Sequence, residues 1–124
     1  MTNLIHKEES YAIIGICMEV HNTLGPGFLE IVYKDALELE FRKAKIPYQR
    51  EKPYEIDYKG DILPHDFNAD FVVYDKIILE VKAVSEIAEL FISKAINYLK
   101  VSNNQLALVT NFGEKSLNYK RVVY

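Results

Sequence analysis

The stretch Asp70-Phe71-Val72-Val73-Tyr74-Asp75-Lys76-Ile77-Ile78-Leu79-Glu80-Val81-Lys82 decides how the chain reads. Two runs of β-branched and aromatic residues flank the polar pair Asp75-Lys76, the pattern of two antiparallel strands joined by a tight turn. Both runs are nearly continuous in apolar residues, so both faces of these strands are expected to be covered, as at the centre of a sheet. Yet Asp70 opens the hairpin and Glu80 and Lys82 close it. Charged groups are costly to bury unless they are paired or bound to a metal.

Side chains two apart on a strand share a face, which puts Glu80 and Lys82 together with Ile78. A two-residue loop of Asp75 and Lys76 would set Asp70 opposite Val81, on the wrong face. A three-residue loop of Asp75, Lys76 and Ile77 would set Tyr74 opposite Ile78 and Asp70 opposite Lys82, gathering Asp70, Glu80 and Lys82. We expect that register, or a bulge with the same effect. Two carboxylates and one ammonium at a buried strand end suit a hard divalent cation with oxygen ligands, and leave the lysine free to hold or activate a water. Such a site is electrostatically strained when empty, so alanine at Asp70 or Glu80 is expected to leave the metal-free fold as stable or more stable. The competing account is a Glu-Lys pair on a solvated strand, because D…E-x-K alone is made of common residues.

Composition narrows the class. The chain has 124 residues, 49% of them hydrophobic, which is room for one globular domain over residues 1–124. No apolar run is long enough to span a bilayer, and the first residues lack a signal-peptide core, so the expectation is a cytoplasmic protein with no membrane partner. Cys17, the single cysteine, falls on an apolar helix face and reads as a buried small hydrophobe. A net charge of −3 weighs against coating nucleic acid by bulk electrostatics. It leaves a nuclease open, since clustered carboxylates make the sum negative while a bound metal reverses the local field.

Working outward from the hairpin, Ile13, Ile16, Cys17, Val20 and Leu24 recur at helical spacing from about Glu8 to Leu24. Gly25-Pro26-Gly27 breaks that helix, and Leu29, Tyr33, Ala36, Leu37 and Phe41 mark a second from Phe28 to about Ala44. Tyr54, Ile56 and Tyr58 alternate with charged residues, as in a half-exposed strand, and Gly60-Asp61 is a turn. After the hairpin, a helix is expected from Ser85 or Glu86 to about Lys100, then a buried strand from Leu106 to Thr110 parallel to its neighbour, and a last edge strand from Arg121 to Tyr124. His21, near the end of the first helix, is expected to cap carbonyls, and His6 and His65 have no partner at metal-ligand spacing. Lys100, Lys115, Lys120 and Arg121 make the last quarter of the chain locally basic.

The second helix opens Gly27-Phe28-Leu29-Glu30-Ile31-Val32-Tyr33. Glu30 and Tyr33 share a face near a helix N-terminus, where the dipole favours a carboxylate. Capping by Glu30 with Tyr33 in the core accounts for them on residue chemistry alone. Taken with Glu19-Val20-His21 and Leu24-Gly25-Pro26, however, the spacing Gly27-x-x-Glu30-x-x-Tyr33 closely resembles the GxxExxY family, a branch of the PD-(D/E)XK nuclease superfamily. The resemblance runs from about Ile13 to Val123 and takes in Tyr58-Lys59-Gly60, Ala69-Asp70, Glu80-Val81-Lys82-Ala83, Asn97-Tyr98-Leu99 and Asn111-Phe112-Gly113.

That resemblance implies an α/β fold with a restriction-endonuclease-like three-layer core, a mixed β-sheet flanked by α-helices. It also implies a metal-dependent nuclease acting on nucleic acid, DNA in the first place. Asp70, Glu80 and the carbonyl of Val81 would hold Mg²⁺ or Mn²⁺, Glu30 would add a carboxylate directly or through water, and Lys82 would be the catalytic lysine. Lys94, Tyr98 and Tyr33 are expected to contact the nucleic acid. Two places depart from the family pattern: Asn68 stands where arginine is common, and Lys94 where glutamine is common. The alternatives are a non-catalytic nucleic-acid-binding module and a subunit of a larger defence or repair assembly. A homodimer would suit a small domain facing the two strands of a duplex.

Overall fold

The computed structural model describes residues 4–124. Helices α1 (Lys7–Leu24) and α2 (Glu30–Lys43) lead into strand β1 (Tyr48–Tyr54). The short strands β2 (Asp57–Tyr58) and β3 (Asp61–Ile62) form a separate hairpin. Then come β4 (Phe67–Val73), β5 (Ile77–Lys82), helix α3 (Glu89–Ser102), β6 (Leu106–Asn111) and β7 (Asn118–Val123). The main sheet has the order β1-β4-β5-β6-β7, antiparallel except for the parallel pair β5–β6 that helix α3 connects. This is the mixed sheet expected from the sequence, with the apolar runs of β4, β5 and β6 at its centre.

Helices cover both faces. Ile13, Cys17, Tyr33, Leu37 and Phe41 of α1 and α2 pack on Phe71, Val73, Leu79, Val81 and Leu108. Ala95 and Leu99 of α3 pack on the other face against Val72, Ile78, Ala107 and Val109. The result is three layers, and the strands between them are apolar on both sides because both sides are buried. Cys17 is fully buried, and the apolar surroundings push its thiol up to about 12, in keeping with a packing role. No helix among the described residues is long and apolar enough to cross a membrane.

Three local expectations change. The strand expected at Tyr54–Tyr58 lies earlier, as β1, because Arg50 and Lys52 occupy its half-buried positions and hide the alternation behind charge. Segment 57–62 instead folds back as the β2–β3 hairpin, tied by the Gly60 N–H to Asp57 Oδ1 at 2.7 Å. In the central hairpin Val73 pairs with Ile77, so the loop is Tyr74-Asp75-Lys76 and lies one residue earlier than expected. Fully buried Ile77 extends β5, and Tyr74 and Asp75 take left-handed φ values of 55° and 59°. The register thus points to Asp70 opposite Glu80, where Lys82 was expected. Finally, α3 starts at Glu89, after Ser85 and Glu86.

The late start of α3 has a visible cause. Asn111, at the end of β6, accepts the Val84 N–H on Oδ1 and donates from Nδ2 to the Val84 carbonyl, both at 3.0 Å. With both backbone groups of Val84 engaged, the chain leaving β5 stays extended. Gly113 lies so close that a Cβ there would meet the Val84 carbonyl oxygen at 2.4 Å. Gly113→Ala must therefore push the end of β5 away, and we expect it to cost about 1–3 kcal/mol. Urea unfolding should show the midpoint falling with little change in slope.

Candidate active site

The ladder between β4 and β5 runs from Val73↔Ile77 to Phe71↔Leu79 and then stops. Beyond it the two strands part, and side chains take over from backbone. The Asp70 N–H donates to Glu80 Oε2 at 2.9 Å, and the Val81 N–H donates to Asp70 Oδ2 at 2.8 Å. The carboxylates thus satisfy two backbone donors that the ladder leaves free. A residue's N–H and C=O leave a strand on the same edge, so the Val81 carbonyl also faces Asp70. On the other edge the Glu80 carbonyl accepts from Thr110 Oγ1 at 2.8 Å, which anchors β5 to β6.

The electrostatics of the pair are lopsided. Glu80 is 5% exposed, and burial, with the Asp70 charge beside it, pushes its carboxyl up to about 8. Asp70 has a cation at hand, the Lys34 ammonium from α2, at 3.0 Å from Oδ1. Lys34 is buried, and its Nζ also donates to Glu51 Oε1 on β1. Burial opposes the charge on Lys34, but Glu51 and Asp70 outweigh it and hold the amine above its ordinary value. Neither Lys34 nor Glu51 was anticipated from the sequence. The available signal was a charged residue on the inward stripe Tyr33, Lys34, Leu37 and Phe41.

Lys82 makes no ion pair with Glu80 among the described residues. Its ammonium lies over the Phe91 ring of α3, 4.7 Å from the centroid. Tyr98, two turns further along α3, stacks on Phe67 with centroids 4.4 Å apart. Burial, and then the Glu80 and Asp70 charges, push its hydroxyl up to about 12, so it stays a donor. Lys94 lies between Phe91 and Tyr98 on that helix face and is exposed.

Glu30, the first residue of α2, makes no cap; its Oε2 accepts the Ala83 N–H at 3.4 Å, just past Lys82. Tyr33 does not face solvent. It is fully buried, donates to the Gly25 carbonyl at 2.6 Å, accepts the Phe28 N–H at 3.2 Å and stacks on Phe112 at 4.8 Å. It pins the Gly25-Pro26-Gly27 turn and thereby the start of α2, and presents nothing to a nucleic acid in this arrangement. His21 is structural, but it does not cap the end of α1 as expected: it is buried and its Nε2 lies 2.9 Å from the carbonyl of Glu114, between β6 and β7.

The elements Glu30, Asp70, Glu-x-Lys at residues 80–82 and the Asn111-Phe112-Gly113 clamp are thus assembled at one end of the central strands. The sequence profile of the PD-(D/E)XK nuclease superfamily matches residues 7–122. The chain belongs to that superfamily. No curated protein and no solved structure gives a significant match. PD-(D/E)XK proteins are generally nucleases and usually use divalent metals.

The residues present fit such an ion, though not a closed cage. Among the described residues no three His, Cys, Asp or Glu side chains stand together as a metal-binding group. Two carboxylates and a backbone carbonyl would supply part of the oxygen shell of a Mg²⁺-like ion, which ordinarily takes its remaining ligands from water and phosphate. Burial first, and then the Asp70 charge, raise the Glu80 carboxyl, and a divalent cation bound there would favour its ionised form against both.

The raised Glu80 pKa has a measurable consequence. Folding favours protonated Glu80, so its contribution to stability is complete below the ordinary carboxylate pKa and is lost as pH rises through about 8. In metal-free buffer the melting temperature should therefore fall from pH 5 to pH 9, and Glu80→Gln should flatten that slope. Asp70 differs from the expectation drawn from sequence. Its removal strips buried Lys34 and the Val81 N–H of a partner, so Asp70→Ala should lower the melting temperature instead of leaving the metal-free fold as stable or more stable.

Proposed function

We propose that residues 1–124 act as a single metal-dependent nuclease domain of the cytoplasm, hydrolysing phosphodiester bonds of nucleic acid and of DNA above all, within the GxxExxY branch of the superfamily. The reading is carried by one observation: Asp70 and Glu80, on adjacent strands, cross-bond where those strands part, with Lys82 two residues beyond. Asp70, Glu80 and the Val81 carbonyl would hold Mg²⁺ or Mn²⁺, with Glu30 reaching the ion through water. The bound ion would polarise the scissile phosphate and lower the pKa of the attacking water. Lys82 orients that water or offsets the charge that develops on phosphorus, and the Phe91 ring keeps its ammonium in place. Tyr98 offers a protonated hydroxyl and Lys94 a free cation to the backbone of the nucleic acid.

A second reading keeps the binding and drops the turnover. Asn68 and Lys94 favour it, because they stand where the family commonly carries arginine and glutamine. A cleavage panel of single-stranded, duplex and branched DNA and of RNA, with Mg²⁺ and with Mn²⁺, separates the two readings. Cleavage should require metal and fall on the order of 10²–10³-fold in Glu80→Gln and in Lys82→Ala. Lys82→Ala should leave metal binding in place, since the lysine is no ligand. Metal-dependent cleavage that survives in both variants would rule out this site. Light scattering at micromolar concentration should report a dimer, in which two sites would serve the two strands of a duplex; monomer alone counts against that part.

A further inference from the structure

Lys34 is the one buried Lys or Arg among the described residues, and nothing in the proposed chemistry uses it. Its side chain is 9% exposed, and it bridges Asp70 at 3.0 Å and Glu51. Three elements are thereby drawn together: α2 supplies the ammonium, β4 one carboxylate and β1 the other. The position of Glu51 carries the argument further. In the β1–β4 register Arg50 pairs with Phe71 and Lys52 with Ala69, so Glu51 belongs opposite Asp70, yet that pair is missing. Glu51 instead has a φ of 55°, a left-handed conformation that costs a non-glycine residue energy and that the middle of a strand does not ask for. The β1–β4 ladder is interrupted where the two carboxylates that meet Lys34 would otherwise pair.

The two carboxylates differ in what they would lose without the lysine. The Glu51 side chain is 49% exposed and can be solvated, whereas the Asp70 side chain is only 19% exposed. Asp70 is also the group a divalent cation would claim. An ammonium 3.0 Å from its Oδ1 sits where it both repels that cation and competes with it for the carboxylate.

We propose that Lys34 is a built-in counter-cation, which neutralises Asp70 in the metal-free protein and passes to Glu51 when a divalent ion takes its place. Glu51 is then the receiving group that makes the exchange affordable in a buried position. Lys34 is a positioning residue: it sets how Asp70 is held and how tightly the site takes metal. The inference rests on Asp70 being a metal ligand, as the nuclease reading has it.

The test is calorimetric titration of the full chain with Mn²⁺, on wild type, Lys34→Met, Glu51→Gln and the double variant. Removing the competing charge should tighten Mn²⁺ binding about tenfold in Lys34→Met, the scale on which residues behind metal ligands act, while lowering the metal-free melting temperature. Glu51→Gln commits Lys34 to Asp70 and should weaken Mn²⁺ binding. If Glu51 works through Lys34, its effect should largely vanish in the Lys34→Met background, which a double-mutant cycle reads directly. Unchanged or weaker binding in Lys34→Met, or additive effects in the cycle, would overturn the exchange and leave Lys34 a structural pin. Should Lys34→Met fail to fold, Glu51→Gln decides alone, since its exposed site tolerates the change: unaltered Mn²⁺ affinity there overturns the proposal. Wild type that binds no Mn²⁺, or Glu80→Gln that binds it undiminished, overturns the nuclease reading together with this one. Normal binding indifferent to Lys34 and Glu51 overturns this one alone.

Discussion

The reciprocal bonds between Asp70 and Glu80 are the constraint on which the rest of the molecule depends. Two central strands cannot separate inside a covered sheet without orphaning backbone donors, and orphaned donors are costly. Here the Asp70 N–H is taken by Glu80 and the Val81 N–H by Asp70, so the strands open with both donors satisfied. The same bonds oblige two acidic groups to stay close in a buried place, and the raised pKa of Glu80 records what that costs. The same pair of carboxylates thus closes the hydrogen bonding of the parted strands and carries the cost of being buried there.

Around that pair lies a belt of residues whose work is support. Tyr33 stacks on Phe112 and bonds the Gly25 carbonyl, Asn111 grips Val84, and Gly113 lets the two segments touch. Together they set where β5 ends and where α2 begins, and so where Glu30, Lys82 and Glu80 stand relative to each other. Motif residues that look like candidates for chemistry can thus be the frame that holds the chemistry in place.

The layers and the strand order were legible because the apolar runs at Phe71–Val73, Ile77–Leu79 and Leu106–Val109 are long and continuous. Pleat parity brought Asp70 and Glu80 together even though the loop was set one residue late, since moving a three-residue loop by one position leaves the face of each side chain unchanged. What parity could not express is that the ladder ends at Phe71↔Leu79, after which Asp70 lies between the strands and reaches towards α2. Strand β1 escaped the reading because Arg50 and Lys52 turn inward, Arg50 onto Asp35 and Glu38 and Lys52 over the Tyr54 ring. The Lys34–Glu51 link was hidden for the same reason: a periodicity argument counts apolar residues and passes over a charge whose partner lies elsewhere in the chain.

The parallel pairing of β5 with β6 has a consequence in time. Lys82 lies beside Asn111 in that register, with the whole of α3 between them in the chain. Contacts of such long sequence separation form late, because the intervening loop must be closed before any of them is gained. A chain growing from its N-terminal end carries Asp70, Glu80 and Lys82 well before it carries Thr110 and the Asn111 clamp that fix the strand bearing them. The arrangement of Asp70, Glu80 and Lys82 is therefore withheld from the nascent chain, and a truncated or stalled product holds those residues without the contacts that fix their strand.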